Sequence, residues 1–211
     1  MSAFSNSNQE KLISFRSKVS NGELFTDVDL SNCGLEEFPR ELYASANCLE
    51  VLNLGGNHLH DLPADMSCFK KLRILFFAQN KFTRYPAQLN QLPSLRMVSF
   101  KSNSLAVIDE YALTASITWL ILTDNNLSSL PRSIGNLTHL RKCMLAGNKL
   151  TSLPEEMAGC RELELLRLAA NQLTELPDWL LRLPRLSWLA FAGNPMDAAR
   201  TIGCMYVRVG M

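Results

Sequence analysis

No stretch of this 211-residue chain approaches the roughly 20 consecutive apolar residues of a membrane-spanning helix. The N-terminal run MSAFSNSNQEKLISF contains no apolar core of signal-peptide length. Charge of one sign is also missing: 21 Lys and Arg face 20 Asp and Glu, a net charge of +1. Nucleic acid or an anionic lipid surface would require clustered surplus Lys and Arg, so neither is expected as a partner. Histidine is scarce, with three in all. His58 and His60 form an H-x-H with no third ligand in register, and His139 stands alone. No metal set, Ser-His-Asp group or Cys-His pair can be assembled from them, and no cofactor is expected. Glu36-Glu37 and Glu155-Glu156 read as solvated charges rather than acid/base pairs. The six cysteines, Cys33, Cys48, Cys68, Cys143, Cys160 and Cys204, are scattered singly.

What is present is repetition. LEVLNLGGNHL begins at Leu49, LRILFFAQNKF at Leu72, LRMVSFKSNSL at Leu95 and ITWLILTDNNL at Ile117. LRKCMLAGNKL follows from Leu140, LELLRLAANQL from Leu163 and LSWLAFAGNPM from Leu186. An eighth copy, FTDVDLSNCGL from Phe25, precedes them and carries Cys33 where the others carry asparagine. The asparagines Asn57, Asn80, Asn103, Asn125, Asn148, Asn171 and Asn194 are separated by 23, 23, 22, 23, 23 and 23 residues. Self-similarity locked to one phase over this period is the mark of a solenoid, and it matches L-x-x-L-x-L-x-x-N/C-x-L. The hydrophobic fraction of 47% and charged fraction of 19% suit a packed chain rather than a disordered one.

The pattern predicts its own geometry. With Leu49 as position 1, Leu52 and Leu54 occupy positions 4 and 6 and share one face of a short strand. Such a strand cannot bury that face alone, so neighbouring copies must stack into a parallel sheet. A right-handed α/β solenoid follows, a horseshoe with strands on its concave face and short 3₁₀ or irregular helical segments on its convex face. The asparagine amide, costly to bury unbonded, has the donors and acceptor to join adjacent turns in a ladder. The second half of each copy reads L-P-x-x-h-x-x-h, as in Leu130-Pro131 with Ile134 and Leu137. The copy from Leu95 departs from this. It is one residue short, has Ile108-Asp109 where proline is expected, and its segment DEYALTAS reads as more helical than its neighbours. Before the array, Leu12, Phe15 and Val19 share one helical face with Gly22 as a stop, so residues 1–22 are expected to form a capping helix. Residues 23–196 form the repeat domain of eight copies. Residues 197–211, DAARTIGCMYVRVGM, form a tail with no recognisable cap.

Written as LxxLxLxxNxLxxLPxxhxxLxx, the repeat closely resembles the intracellular leucine-rich repeats of Ras-suppressor and scribble-type scaffold proteins. The phrases LTDNNLSSLPRSIGNLTHL, LAGNKLTSLP and LLRLPRLSWLAFAGNP also resemble the repeat region of leucine-rich repeat proteins that continue into a kinase domain. The glycine-rich loop, H-R-D and D-F-G elements of a kinase are absent from the sequence, so the resemblance implies a recognition or regulatory module rather than phosphoryl transfer. Secreted proteins of this class usually carry paired cysteine clusters flanking the array. None is seen here, which implies free thiols and a reducing, cytoplasmic setting.

The register also lists the outward columns. Position 3 holds Asp27, Val51, Ile74, Met97, Trp119, Lys142, Leu165 and Trp188, and position 5 holds Asp29, Asn53, Phe76, Ser99, Ile121, Met144, Arg167 and Ala190. Ile74, Phe76, Met97, Trp119, Ile121 and Met144 form one apolar patch on adjacent repeats, flanked by Lys142 and Arg167, with Trp188 further along. Exposed contiguous apolar surface with Trp, Phe and Met marks an interface. The competing reading is that these side chains lie flat and simply cover the sheet. Trp119 is the expected anchor, and Trp179, on the convex side, the expected control. The resulting expectation is a non-catalytic scaffold that binds a partner protein on its concave face. The alternatives are the sensor region of a kinase-linked protein lacking its kinase, and a repeat-type ligase lacking its catalytic part. Oligomeric state is left open by the sequence.

Overall fold

The strands are only three residues long, so most bury little more than their central side chain and rely on their neighbours for the rest. In the computed structural model, which describes residues 3–196, they are β1 (Asp27–Asp29), β2 (Val51–Asn53), β3 (Ile74–Phe76), β4 (Met97–Ser99), β5 (Trp119–Ile121), β6 (Lys142–Met144), β7 (Leu165–Arg167) and β8 (Trp188–Ala190). They form one eight-stranded sheet in chain order, with every adjacent pair parallel. The register never slips: Val51 faces Ile74, Ile74 faces Met97, Met97 faces Trp119 and Trp119 faces Lys142. Val28, Leu52, Leu75, Val98, Leu120, Cys143 and Leu166 therefore stack as one buried column. Positions 1, 6 and 11 add parallel columns, such as Leu72, Phe77 and Phe82, and the core runs continuously along the array.

Behind the sheet, 3₁₀ segments close each turn: Arg40–Ser45, Met66–Cys68, Ala87–Gln91, Arg132–Asn136, Glu155–Gly159 and Asp178–Arg182. Five of the six follow a proline, whose φ near −67° fixes the entry angle. Neighbouring segments approach very closely at Gly135 and Gly159. A Cβ on Gly135 would lie 2.2 Å from the Glu156 carbonyl oxygen, so only glycine fits there.

The stretch between β4 and β5 overturns the expectation of a more helical DEYALTAS segment. It contains no helix of any kind. Without a proline at position 109, the chain instead turns through Tyr111 at φ +64°, a left-handed conformation that cannot continue a helix. Its polar groups are used across repeats. The Glu110 carboxylate accepts the N–H groups of Arg132 (2.7 Å) and Ser133 (3.0 Å), the first turn of the next 3₁₀ segment. Arg84 pairs with Asp109.

The N-terminal helix α1 spans Ala3–Ser20 and lies against the first repeat. Phe15 is buried, its ring 5.5 Å from that of Phe25 and tilted against it, with Leu12 and Val19 packed beside the core. Lys11 reaches Asp29 at 2.9 Å and Arg16 reaches Glu41 at 2.6 Å. The expected tail 197–211, with Cys204, lies outside the described residues.

The asparagines are the seam of the stack. In Asn125, Nδ2 donates to the carbonyls of Leu122 in its own repeat and Phe100 in the previous one, at 3.0 and 2.9 Å. Its Oδ1 accepts the Leu105 N–H at 2.9 Å. Asn57, Asn80, Asn103, Asn148, Asn171 and Asn194 repeat this arrangement. Cys33 cannot donate and accept in the same way. Its own N–H is instead bonded to Asn57 at 3.0 Å, so the ladder starts one repeat later. Each seam residue is preceded by a left-handed residue: Asn32, Gly56, Gln79, Ser102, Asp124, Gly147, Ala170 and Gly193 all have φ between 53° and 75°. This conformation turns the strand inward and aims the asparagine at the core.

Candidate binding face

Positions 3 and 5 of each strand face away from the core, and their burial decides whether they form a surface. Ile74, Phe76, Met97, Trp119, Ile121, Lys142 and Met144 are all half-buried. They lie side on against the sheet yet keep part of their surface open. Arg167 is exposed, and Trp188 is exposed at 58% on β8. Ser99, by contrast, is buried between Phe76 and Ile121, its partners across β4. The outward columns are thus a layer with one covered member rather than a row of free side chains.

The structure brings the patch residues together as registered neighbours. Met97 faces Trp119, and Ile121 faces Met144. It also adds two apolar residues beyond the expected patch. Val51 extends position 3 on β2, and Leu165 bridges Lys142 to Trp188 on β7 and β8. Both are half-buried and were legible in the same column. Trp119 is not a bare anchor. The Lys142 ammonium sits 3.8 Å from its ring centroid, a cation–π contact that fixes a positive charge on the patch.

Trp179, the expected convex-side control, belongs to the core. It is buried to 9% exposure, and its indole N–H has no hydrogen-bond partner among the described residues. It is the second residue of the Asp178–Arg182 3₁₀ segment, and position in the segment, rather than membership of the convex side, decides its direction.

Elsewhere the chemistry is quiet. No group of three or more metal-ligating side chains occurs among the described residues. No described helix is long and apolar enough to cross a membrane. Cys48, Cys68, Cys143 and Cys160 are free thiols. Burial pushes the Cys160 thiol up to about 12 and Cys143 higher still, so neither supplies a thiolate at neutral pH. At β1, burial raises the Asp29 carboxyl, but hydrogen bonds from Lys11 and the Ser31 N–H outweigh it and hold it below its usual range.

An open parallel sheet of eight registered repeats, with an asparagine seam and 3₁₀ turns behind it, defines a leucine-rich repeat solenoid. The family model for leucine rich repeat matches residues 115–173 and 138–196, and the chain is a leucine-rich repeat protein. It is similar to the transforming growth factor beta activator LRRC32 of Mus musculus, at 36% identity over 107 residues. It is also similar to the probable serine/threonine-protein kinase pats1 of Dictyostelium discoideum, at 32% identity over 122 residues. The matches cover 49% and 54% of this chain but only 16% and 4% of those proteins. Among solved structures, the ectodomain of the Arabidopsis thaliana receptor kinase GASSHO1/SCHENGEN3, in complex with Casparian strip integrity factor 2, superposes with a TM-score of 0.66. It is 25% identical and covers 76% of this chain and 20% of that one.

Proposed function

We propose that this solenoid is a non-catalytic recognition module that holds a protein partner on its concave face, with Trp119, Met97, Ile121 and Met144 at the centre. The observation that carries this reading is the half-buried apolar layer on four adjacent strands, β3 to β6. It is contiguous, it sits mid-array, and its composition is that of interface cores. The similar receptor ectodomain, solved with its bound factor, supports the same use of the fold. Small position-7 residues, Ala78 and Ala146 among them, leave room above the sheet for a partner backbone. The absence of paired cysteine clusters in the sequence supports a cytoplasmic setting.

A second reading has one observation in its favour. The 122 residues similar to the probable kinase pats1 make up 4% of that protein, which supports an array of this kind being one part of a longer chain. On that reading the concave face serves as the sensor for a linked catalytic domain. Both readings require the same surface.

Methionine oxidation tests this surface directly. Met97 and Met144 lie on the proposed face, whereas Met66 and Met157 are fully buried. Peptide binders selected on the folded protein from a random twelve-residue display library should slow peroxide oxidation of Met97 and Met144 and leave Met66 and Met157 as they were. Binders that protect neither Met97 nor Met144 would place recognition elsewhere.

A further inference from the structure

Charge on the concave face is sorted by position along the array. Columns 3, 5 and 7 hold five charged residues among the eight repeats. The two acids, Asp27 and Asp29, are both on β1. The three bases, Lys101, Lys142 and Arg167, lie on the fourth, sixth and seventh repeats, away from the acids. The apolar layer lies between the ends.

The acidic end is partly satisfied. Lys11 pairs with Asp29, and Asp27 is bonded only by the Thr26 hydroxyl, at 2.8 Å, with no basic partner among the described residues. At the basic end, columns 3, 5 and 7 hold no acid. Lys142 and Arg167 occupy positions 3 and 5 of adjacent strands, diagonal neighbours on one face. Neither forms an ion pair among the described residues. The nearby Glu164 is engaged by Arg141, with two hydrogen bonds of 2.9 and 3.1 Å at the edge of the face. Two like charges held together on a half-dry apolar surface repel one another, and a bound anion relieves that repulsion. Lys142 is already held in place by the Trp119 ring, so it loses little freedom when a carboxylate arrives.

Resting on the concave-face reading above, the geometry points to one kind of occupant. It is an extended peptide crossing the strands with its acidic end over Lys142 and Arg167 and its apolar residues on the β3 to β5 layer. A basic residue at its other end faces Asp27. The spacing follows from the sheet. From β1 to β6 or β7 there are five or six strand gaps of about 4.8 Å, on the order of 24–29 Å. An extended chain advances about 3.3 Å per residue, so the acidic and basic residues should stand roughly seven to nine apart. An extended segment also lets the small position-7 residues, Ala78 and Ala146, pass close beneath its backbone.

The test uses the intact chain and the same random twelve-residue display library. Selected peptides should carry Asp or Glu near one end and Lys or Arg seven to nine residues away, around an apolar centre. Fluorescence anisotropy of a selected peptide should show affinity falling about tenfold on Arg167→Glu. Replacing the peptide's acid by Lys should recover most of that loss against Arg167→Glu while weakening binding to the unaltered protein. Arg167 is exposed and outside the core, and far-UV circular dichroism reads whether the variant is folded. Peptides that depend on Trp119 but are indifferent to the charge exchange overturn the charge-ordered occupant and leave the concave face intact as a site. If no selected peptide depends on Trp119, both that site and this occupant are overturned.

Discussion

The two faces of the solenoid each carry a tryptophan, and the contrast between them separates what holds the fold from what it offers. Trp119 stands on the concave sheet, half-buried, with a lysine over its ring. Trp179 is buried on the convex side with its indole N–H unpartnered among the described residues. On the concave side the core is the column beneath, and the outward side chains are a layer added to it. On the convex side, segments touch backbone to backbone at Gly135 and Gly159, and Trp179 there belongs to the core. Substitutions should therefore cost stability on the convex face and binding on the concave one.

The largest expected effect is at Trp179. Trp179→Ala should destabilise by about 3–5 kcal/mol, the usual cost of emptying a buried Trp site. Trp179→Phe should cost far less, because it also removes a buried donor that has no acceptor. Urea midpoints of the two variants read this directly. Equal losses would mean the indole N–H is satisfied in solution. The seam comes next. Asn125→Ala should cost about 1–3 kcal/mol, since it strands the Leu105 N–H and two carbonyls inside the stack. Asn194→Ala, in a less buried rung, should cost less, and equal midpoint shifts would contradict the ladder. The smallest effect concerns acid. Glu110 is held below its ordinary value of 4.5 by the N–H groups of Ser133 and then Arg132. A carboxyl lowered in the folded state stabilises fully above its unfolded value and loses that contribution as pH falls through the folded one. Melting temperature measured from pH 6 down to pH 3 should therefore drop less steeply in Glu110→Gln than in the unaltered chain. Parallel curves would show that the cap on the Arg132 segment carries no weight.

The concave half of the fold was open to reading because its period is rigid. Two residues per strand turn and a 23-residue repeat put Ile74, Met97, Trp119 and Lys142 in one row, and the register has them there. The seam asparagines are legible for the same reason: a polar residue repeated inside an apolar frame must bond in sequence. The convex half obeys no such period. Apolar spacing in DEYALTAS is compatible with a helix, but Tyr111 at φ +64° and the turning of Glu110 towards Ser133 depend on the next repeat, which local pattern does not encode. The burial of Trp179 was hidden for a related reason, since a 3₁₀ segment of five residues has no settled outer face. The left-handed column was hidden as well, because only Gly56, Gly147 and Gly193 announce it while Gln79, Ser102, Asp124 and Ala170 adopt the same conformation without glycine.

The most direct test of the whole account is Trp119→Ala, measured twice on the same sample, for affinity and for folding. The variant should bind a selected peptide at least roughly thirtyfold more weakly, equivalent to about 2 kcal/mol, the loss expected of a central aromatic anchor. Its urea midpoint should fall by no more than about 1 kcal/mol of stability, because the side chain lies on the sheet rather than within it. Unchanged affinity in a folded variant would contradict the concave face as the binding surface, and collapse of the fold would show that Trp119 belongs to the core.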